Sequence, residues 1–272
     1  LEKSLQFLDT HVKKSPEKPF FLFHSLQAVH LPSFPGRDFK GKTKAGPHGD
    51  FIFQFDHIVG KLLEKLEDID LTKDTLVIVS SDNGPEVGTV INMRDKYQHD
   101  GARPWRGVKR DNWEGGHRVP MIARWPGRIK AGSKTAQTIC LTDLMATCAA
   151  LTGVELPVDA AEDSFDMLPV LLGEANQPIR QYTLHQTISL ALAIRGGNWK
   201  YLDHKGSGGN RYRGGLQKYA LPDAAPETPG QLYDLATDPG ETTNLVAEKS
   251  EIAQSLREQL EKFKATGRSR PR

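Results

Sequence analysis

Asp82 and Asn83 stand side by side, after the apolar run Thr75-Leu76-Val77-Ile78-Val79-Ser80-Ser81 and before Gly84-Pro85. A carboxylate and an amide oxygen at adjacent positions can both reach one hard cation, and oxygen ligands suit calcium or magnesium better than zinc. Two oxygens are too few alone, since calcium takes roughly six to eight. The plainer alternative is a turn, because Asn-Gly and Gly-Pro are turn dipeptides in any context. His30, in Ala28-Val29-His30-Leu31-Pro32, could donate a proton to a leaving oxygen or bind an anion. A lone histidine is more often structural, and His24 is read as a core or supporting group. Lys109, in Arg106-Gly107-Val108-Lys109-Arg110, could neutralise charge that shifts to the leaving group of a sulfuryl or phosphoryl transfer. A solvated basic loop is the alternative there. His99, Arg103, Arg106, Arg110 and His117 share the stretch and could funnel anions, with His99 and Arg106 as the candidates for substrate contact.

Such groups need elements to position them. Leu5, Leu8 and Val12 share one face of an expected helix over 1–14, ended by Pro16 and Pro19. Phe20 to Leu26 predicts a buried strand, followed by a Pro- and Gly-rich loop from Val29 to Pro47. Phe51, Phe55, Ile58, Val59, Leu62, Leu63 and Leu66 keep helical spacing and predict a helix from Gly49 to Glu67. Thr75 to Ser81 predicts a second strand. Strand, helix, strand implies a parallel α/β sheet with a right-handed crossover. Ligands bind beyond the carboxyl ends of strands in such sheets, which is where His30 and Asp82-Asn83 fall.

Glu86 to Arg118 is expected to be a long polar loop, and Val119 to Trp125 a third strand. Helices over Leu141–Leu151 and Ser164–Leu172 should stop at Gly153 and Gly173. Past Pro178 the pattern changes to short strands at Tyr182–Leu192, Ala193–Arg195, Trp199–Leu202 and Leu232–Leu235, with Gly196-Gly197-Asn198 as a hairpin turn. Ser250 to Lys264 predicts a terminal helix. A domain boundary is therefore placed between residues 177 and 178, with 1–177 forming the α/β domain and 178–272 a smaller α+β subdomain.

Composition sets the class. The 272 residues are 38% hydrophobic and 26% charged, with 36 basic against 34 acidic side chains and a net charge of +2. That is a soluble globular balance, with no basic stripe for nucleic acid and no apolar run fit to cross a bilayer. Cys140 and Cys148 are the two cysteines. Eight positions apart on one helix they would sit roughly 12 Å apart along the axis, too far to bridge.

Several blocks occur together in one order. They include Val29-His30-Leu31-Pro32, Ser81-Asp82-Asn83-Gly84-Pro85-Glu86, Arg106-Gly107-Val108-Lys109, Trp113-Glu114-Gly115-Gly116-His117-Arg118-Val119-Pro120, Trp199-Lys200 and Leu232-Tyr233-Asp234-Leu235. From Pro19 to about Val246 the chain resembles the type I sulfatases of the alkaline phosphatase superfamily, the arylsulfatase group. The resemblance implies an alkaline-phosphatase-like α/β fold, a mostly parallel sheet flanked by helices, with a smaller C-terminal antiparallel-sheet subdomain. It implies hydrolysis of an aryl or carbohydrate sulfate ester with one calcium ion, and a formylglycine nucleophile made from a Cys/Ser-x-Pro-x-Arg motif. Asp82 and Asn83 match the family's later pair of metal ligands, His30 its sulfate-contacting histidine and Lys109 its sulfate-contacting lysine. Ser33-Phe34-Pro35-Gly36-Arg37 is set aside as the formylglycine motif, because its Pro is read as misplaced and because it follows the histidine block instead of preceding it. The nucleophile and the early Asp-Asp metal pair are expected upstream, so the chain by itself is expected to show no turnover. A phosphodiesterase or phosphonate hydrolase of the same superfamily, or a non-catalytic binding module, are the competing expectations. The family resemblance implies a periplasmic or secreted protein; an oligomeric state is not read from it.

Overall fold

The computed structural model describes residues 1–214, 217 and 227–271. Two compact units emerge, one of Leu1–Ile78, Glu86–Gly101 and Ala123–Arg128, the other of Val79–Pro85, Ala102–Ile122 and Ile129–Arg272. The chain passes between them more than once, so these units do not follow a single boundary near residue 178.

In the first unit α1 spans Glu2–Lys14. Its apolar face buries Leu8, which is 1% exposed, worth about 2 kcal/mol for such a side chain. Helix α2 spans Gly46–Asp68, with a Pro in its first turn, and buries Phe51 and Leu66. Lys65 on α2 meets Asp9 on α1 at 2.6 Å. Residues 20–26, expected as a strand, carry no strand pairing among the described residues. Phe21 and Phe23 are each 77% exposed. The segment is extended, but a strand needs a neighbour to take its amide hydrogens, and none of the described residues supplies one.

Strands β1 (Val77–Ser80) and β2 (Met121–Arg124) form a two-stranded sheet. Between them, the expected long loop from Glu86 to Arg118 is corrected. It contains α3, Val87–Tyr97, and a single helical turn α4, Glu114–His117. The Glu86 side chain accepts from the Val87 amide at 2.9 Å, and Val90 and Met93, three apart, are buried beneath the helix. A capping carboxylate followed by apolar residues at helical spacing is the signal that decides against loop.

The second unit holds α5 (Leu144–Thr152), α6 (Leu168–Leu172), and a four-stranded antiparallel sheet in the order β3-β4-β5-β6. The strands are Tyr182–Gln186, Leu192–Gly196, Trp199–Leu202 and Gln231–Asp234. Gly153 and Gly173 close their helices in the left-handed conformation, at φ +71 and +76. Helix α7, Ser250–Thr266, covers one face of the sheet. There Ala253, Leu256 and Leu260 pack on Ile194, Tyr201 and Leu232. The opposite face carries Ala193, Leu202 and Tyr233 against Trp113 from the loop before α4. Cross-strand partners share a face, so Arg195, Lys200 and Tyr233, paired in turn across β4, β5 and β6, join this second side. A sheet face that would otherwise be apolar thus presents two cations to one loop.

Candidate active site

Two loops of the second unit carry four of the expected site residues, Asp82, Asn83, Arg106 and Lys109. Past β1, Asp82 is exposed and Asn83 half-buried. The Ser81 hydroxyl donates to the Asn83 carbonyl at 3.1 Å, and Asn83 Nδ2 donates to the Gly84 carbonyl at 2.9 Å. The amide oxygen of Asn83 is thereby left over to accept. Gly84 N donates to Gly116 O at 2.9 Å, and Lys109 N donates to Pro85 O at 2.9 Å. The Asp82-Asn83 turn is therefore laced to the Lys109 loop at two backbone points. The approach is close enough to require glycine: a Cβ on Gly84 would stand 1.9 Å from Gly115 O.

Asp111 organises the Lys109 loop from within. Its carboxylate accepts from the Val108 amide at 3.0 Å, the Tyr212 hydroxyl at 2.6 Å and the Asn210 amide at 3.1 Å. Asn210 Nδ2 donates in turn to the carbonyl of Lys109 at 2.7 Å. Residues 207–212 so brace the backbone that presents the lysine. Of the segment 203–230, residues 203–214, 217 and 227–230 are described.

Beneath the loop lies a buried ionic nest that composition and spacing did not single out. Lys200 and Glu241 are fully buried, and Glu114 is 1% exposed. Lys200 Nζ is 2.9 Å from Glu114 Oε1, 3.0 Å from His117 Nε2 and 3.0 Å from Glu241 Oε1. The last contact is poorly aligned for a hydrogen bond. Glu241 instead accepts from the Glu114 amide at 2.6 Å. Burial pushes the Glu114 carboxyl up, but the Lys200 ammonium, with His185 and Arg195 beside it, outweighs burial and holds it at about 2. Glu241 goes the other way: burial, with Glu114 close by, pushes it up to about 7 despite Lys200. Burial and then the neighbouring cation keep His117 well below the ordinary histidine range; burial and then its neighbour His117 do the same for His185.

Glu114, His117 and His185 offer ligand atoms within 4.8 Å of one another. They fit an ammonium better than a metal ion. The two imidazoles stack at 3.7 Å and 19°, so their in-plane lone pairs run side by side and cannot meet on one ion at about 2 Å. Lys200 Nζ already holds the position a cation would take. The Asp82-Asn83 pair, in contrast, suits a hard cation. Its donors are a carboxylate with no ion-pair or hydrogen-bond partner among the described residues and an amide oxygen left unused.

Arg106 is 8% exposed. Its guanidinium donates to Glu241 O at 2.8 Å and to Tyr233 Oη at 3.3 Å, and lies 3.7 Å over the Trp113 ring. The carbonyl of Arg106 accepts from Gly115 N at 2.7 Å, tying the two ends of the loop together. His30 and His99 belong to the first unit, and both are exposed. His30 Nδ1 lies 2.6 Å from the Leu31 carbonyl. That carbonyl can only accept, so the proton sits on Nδ1 and Nε2 is left to face a ligand. His24 bonds the Ser4 hydroxyl at 2.6 Å through Nδ1, a supporting place. Ser33, Pro35 and Arg37 do satisfy the Ser-x-Pro-x-Arg spacing. The Ser33 hydroxyl, however, is engaged with His48 Nδ1 at 3.2 Å.

The sequence profile of the family described as sulfatase matches residues 1–154, and one described as N-sulphoglucosamine sulphohydrolase, C-terminal, matches 107–266. The chain is similar to an N-acetylgalactosamine-6-O-sulfatase of Bacteroides thetaiotaomicron, at 34% identity over 96% of this chain and 50% of the relative. It is similar to human arylsulfatase A, at 34% identity over 92% of this chain and 49% of the relative. Among solved structures, a sulfatase from Pseudoalteromonas sp. superposes with a TM-score of 0.79 and 28% identity, over 97% of this chain and 51% of that one. The chain thus spans about half the length of the curated relatives it matches.

Proposed function

The chain belongs to the sulfatase family, with that family's alkaline-phosphatase-like fold, and on that premise we propose that it forms the sulfate- and metal-binding part of a sulfuric ester hydrolase. The observation that carries the reading is the double backbone stitch between the Asp82-Asn83 turn and the Lys109 loop. It supports a site in which two hard oxygen ligands and an ammonium come from backbone segments tied to each other. Asp82 and Asn83 hold one calcium ion, which when bound polarises the sulfuryl oxygens. Lys109 neutralises the negative charge that moves toward the ester oxygen as the S–O bond breaks. His30 turns Nε2 to the ligand while Nδ1–H is held by the Leu31 carbonyl, and when Nε2 also carries a proton it gives that proton to the leaving alcohol. His99 contacts the substrate from the exposed end of α3. Arg106 acts through the placement of Lys109, since its own guanidinium is engaged inside the unit.

The nucleophile we assign to a formylglycine upstream of these residues; the Ser33 pattern follows the histidine block and its hydroxyl is bonded to His48. Relatives named for galactosamine sulfate and for aryl sulfate support an aryl or saccharide sulfate ester as substrate. The family also supports a periplasmic or secreted location, and no helix among the described residues is long and apolar enough to cross a membrane. The phosphodiesterase alternative needs two transition metals on several imidazoles. The one such cluster among the described residues is filled by Lys200.

Metal titration tests the reading. One calcium ion per chain, lost in Asp82→Ala, is expected. Two zinc or manganese ions per chain would move the assignment to the phosphodiesterase class.

A further inference from the structure

The first unit contains a cavity of about 490 Å³ whose wall starts three residues beyond His30. Ser33, Phe34, Lys40, Thr43, Asp50 and Tyr97 are among its lining residues. Its size falls within the range of small-ligand sites. Phe34 is 75% exposed and Tyr97 38%, so two aromatic rings stand uncovered at the cavity. The loop over 37–44 carries Arg37, Lys40, Lys42 and Lys44 against Asp38 alone, a balance of 4 − 1 = +3. All four cations are exposed, and among the described residues none has an ion-pair partner.

This wall is built rather than loose. Asp50, at 4% exposure, accepts from Gly41 N at 2.7 Å and Thr43 N at 2.8 Å. Gly36 N donates to Gln54 Oε1 at 2.7 Å. Both acceptors lie on α2, so the basic loop is pinned to a helix. The Asp50 charge is taken up by those amides, which leaves the basic loop unneutralised, with Lys40 in the cavity wall and Arg37, Lys42 and Lys44 on the adjoining chain. Uncovered aromatic rings suit the apolar faces of sugar rings, and a preorganised row of cations suits repeated anions.

We propose that this cavity and its basic loop bind a polyanionic saccharide, one bearing sulfate or carboxylate groups on more than one ring. The assignment rests on the sulfatase reading for the ester that is cleaved, but the binding site itself stands on charge and shape. Titration calorimetry of the chain with a chondroitin sulfate tetrasaccharide tests it, with an unsulfated, uncharged tetrasaccharide and inorganic sulfate as controls. The tetrasaccharide should bind, with an affinity that falls as salt rises, and both controls should bind at least about tenfold more weakly. Lys40→Glu combined with Lys42→Glu should weaken tetrasaccharide binding by about tenfold or more, and Phe34→Ser should weaken it with an unchanged salt slope. Calcium binding should stay as in the parent in every variant, showing that the fold holds. Absence of tetrasaccharide binding, or equal binding by parent and charge-reversed chain, would overturn the proposal. Saccharide binding together with a failed metal titration would overturn the sulfatase reading and leave this site standing.

Discussion

Asp82 is an exposed carboxylate placed next to a spare amide oxygen, and Lys109 is the ammonium on the loop stitched to that turn. A carboxylate in that position gains most from a divalent ion, so Asp82→Ala is expected to abolish calcium binding by calorimetry. Lys109→Met should weaken binding of inorganic sulfate to the calcium-loaded chain by about 2 kcal/mol, roughly thirtyfold, the scale of one charge-assisted hydrogen bond. An unchanged sulfate affinity in that variant would remove Lys109 from the site. At this scale the ordered blocks singled out Asp82, Asn83, His30 and Lys109 as candidates, and of these Asp82 and Asn83 follow a strand in the structure. Glu114, Lys200 and Glu241 were not legible as a group. Glu114 lies 86 positions from Lys200 and Lys200 lies 41 from Glu241, and only folding brings them together. The one local signal was a lysine between Trp199 and Tyr201 in a strand, on the same face as Leu202.

The elements that hold these residues depend on the nest under the loop. Lys200→Met would leave Glu114 and Glu241 facing each other without their shared cation. A loss of about 3–5 kcal/mol in urea unfolding is expected, as for other buried charges stripped of a partner. Stability within about 0.5 kcal/mol of the parent would show that the nest does not anchor the loop. Two glycines make a matched comparison. Gly60 sits inside α2 with open space around it, so Gly60→Ala should stabilise by about 0.5–1 kcal/mol. Gly84→Ala must displace the Gly115 carbonyl, and should destabilise the chain and weaken calcium binding together. Most helices and the C-terminal strands were readable from period and stop signals, since Gly153, Gly173 and Gly267 each end a helix with positive φ. The 20–26 segment misled because an apolar run reports burial and extension but not the presence of a pairing neighbour. Helix α3 was missed because its polar residues outnumbered the few buried ones, Thr89, Val90 and Met93.

Across the whole molecule, acid should act mainly through the histidines. His24, His48, His117, His185 and His204 are all held below the ordinary range, in each case by burial first. The unfolded chain therefore takes up more protons there, and stability present above about pH 6.5 is lost as pH falls below it. Glu241 opposes this between about 4.5 and 7, because its raised carboxyl binds a proton more readily in the folded state. One rising group does not cancel five falling ones, so midpoint denaturant concentration should drop from pH 7 to pH 5. Below about 4.5 the Glu114 contribution is lost as well. His185→Phe, which keeps the stacked volume and removes a titrating ring, should flatten the slope. Within the second unit, Asp82 and Asn83 are proposed to meet one anion through a divalent ion and Lys109 to meet it directly. Crystals soaked in calcium and sulfate, with the calcium located by anomalous scattering, test it most directly. One calcium on the Asp82 and Asn83 oxygens is expected, with a sulfate within hydrogen-bonding distance of Lys109 Nζ. Calcium bound elsewhere, or sulfate out of reach of Lys109, would contradict it.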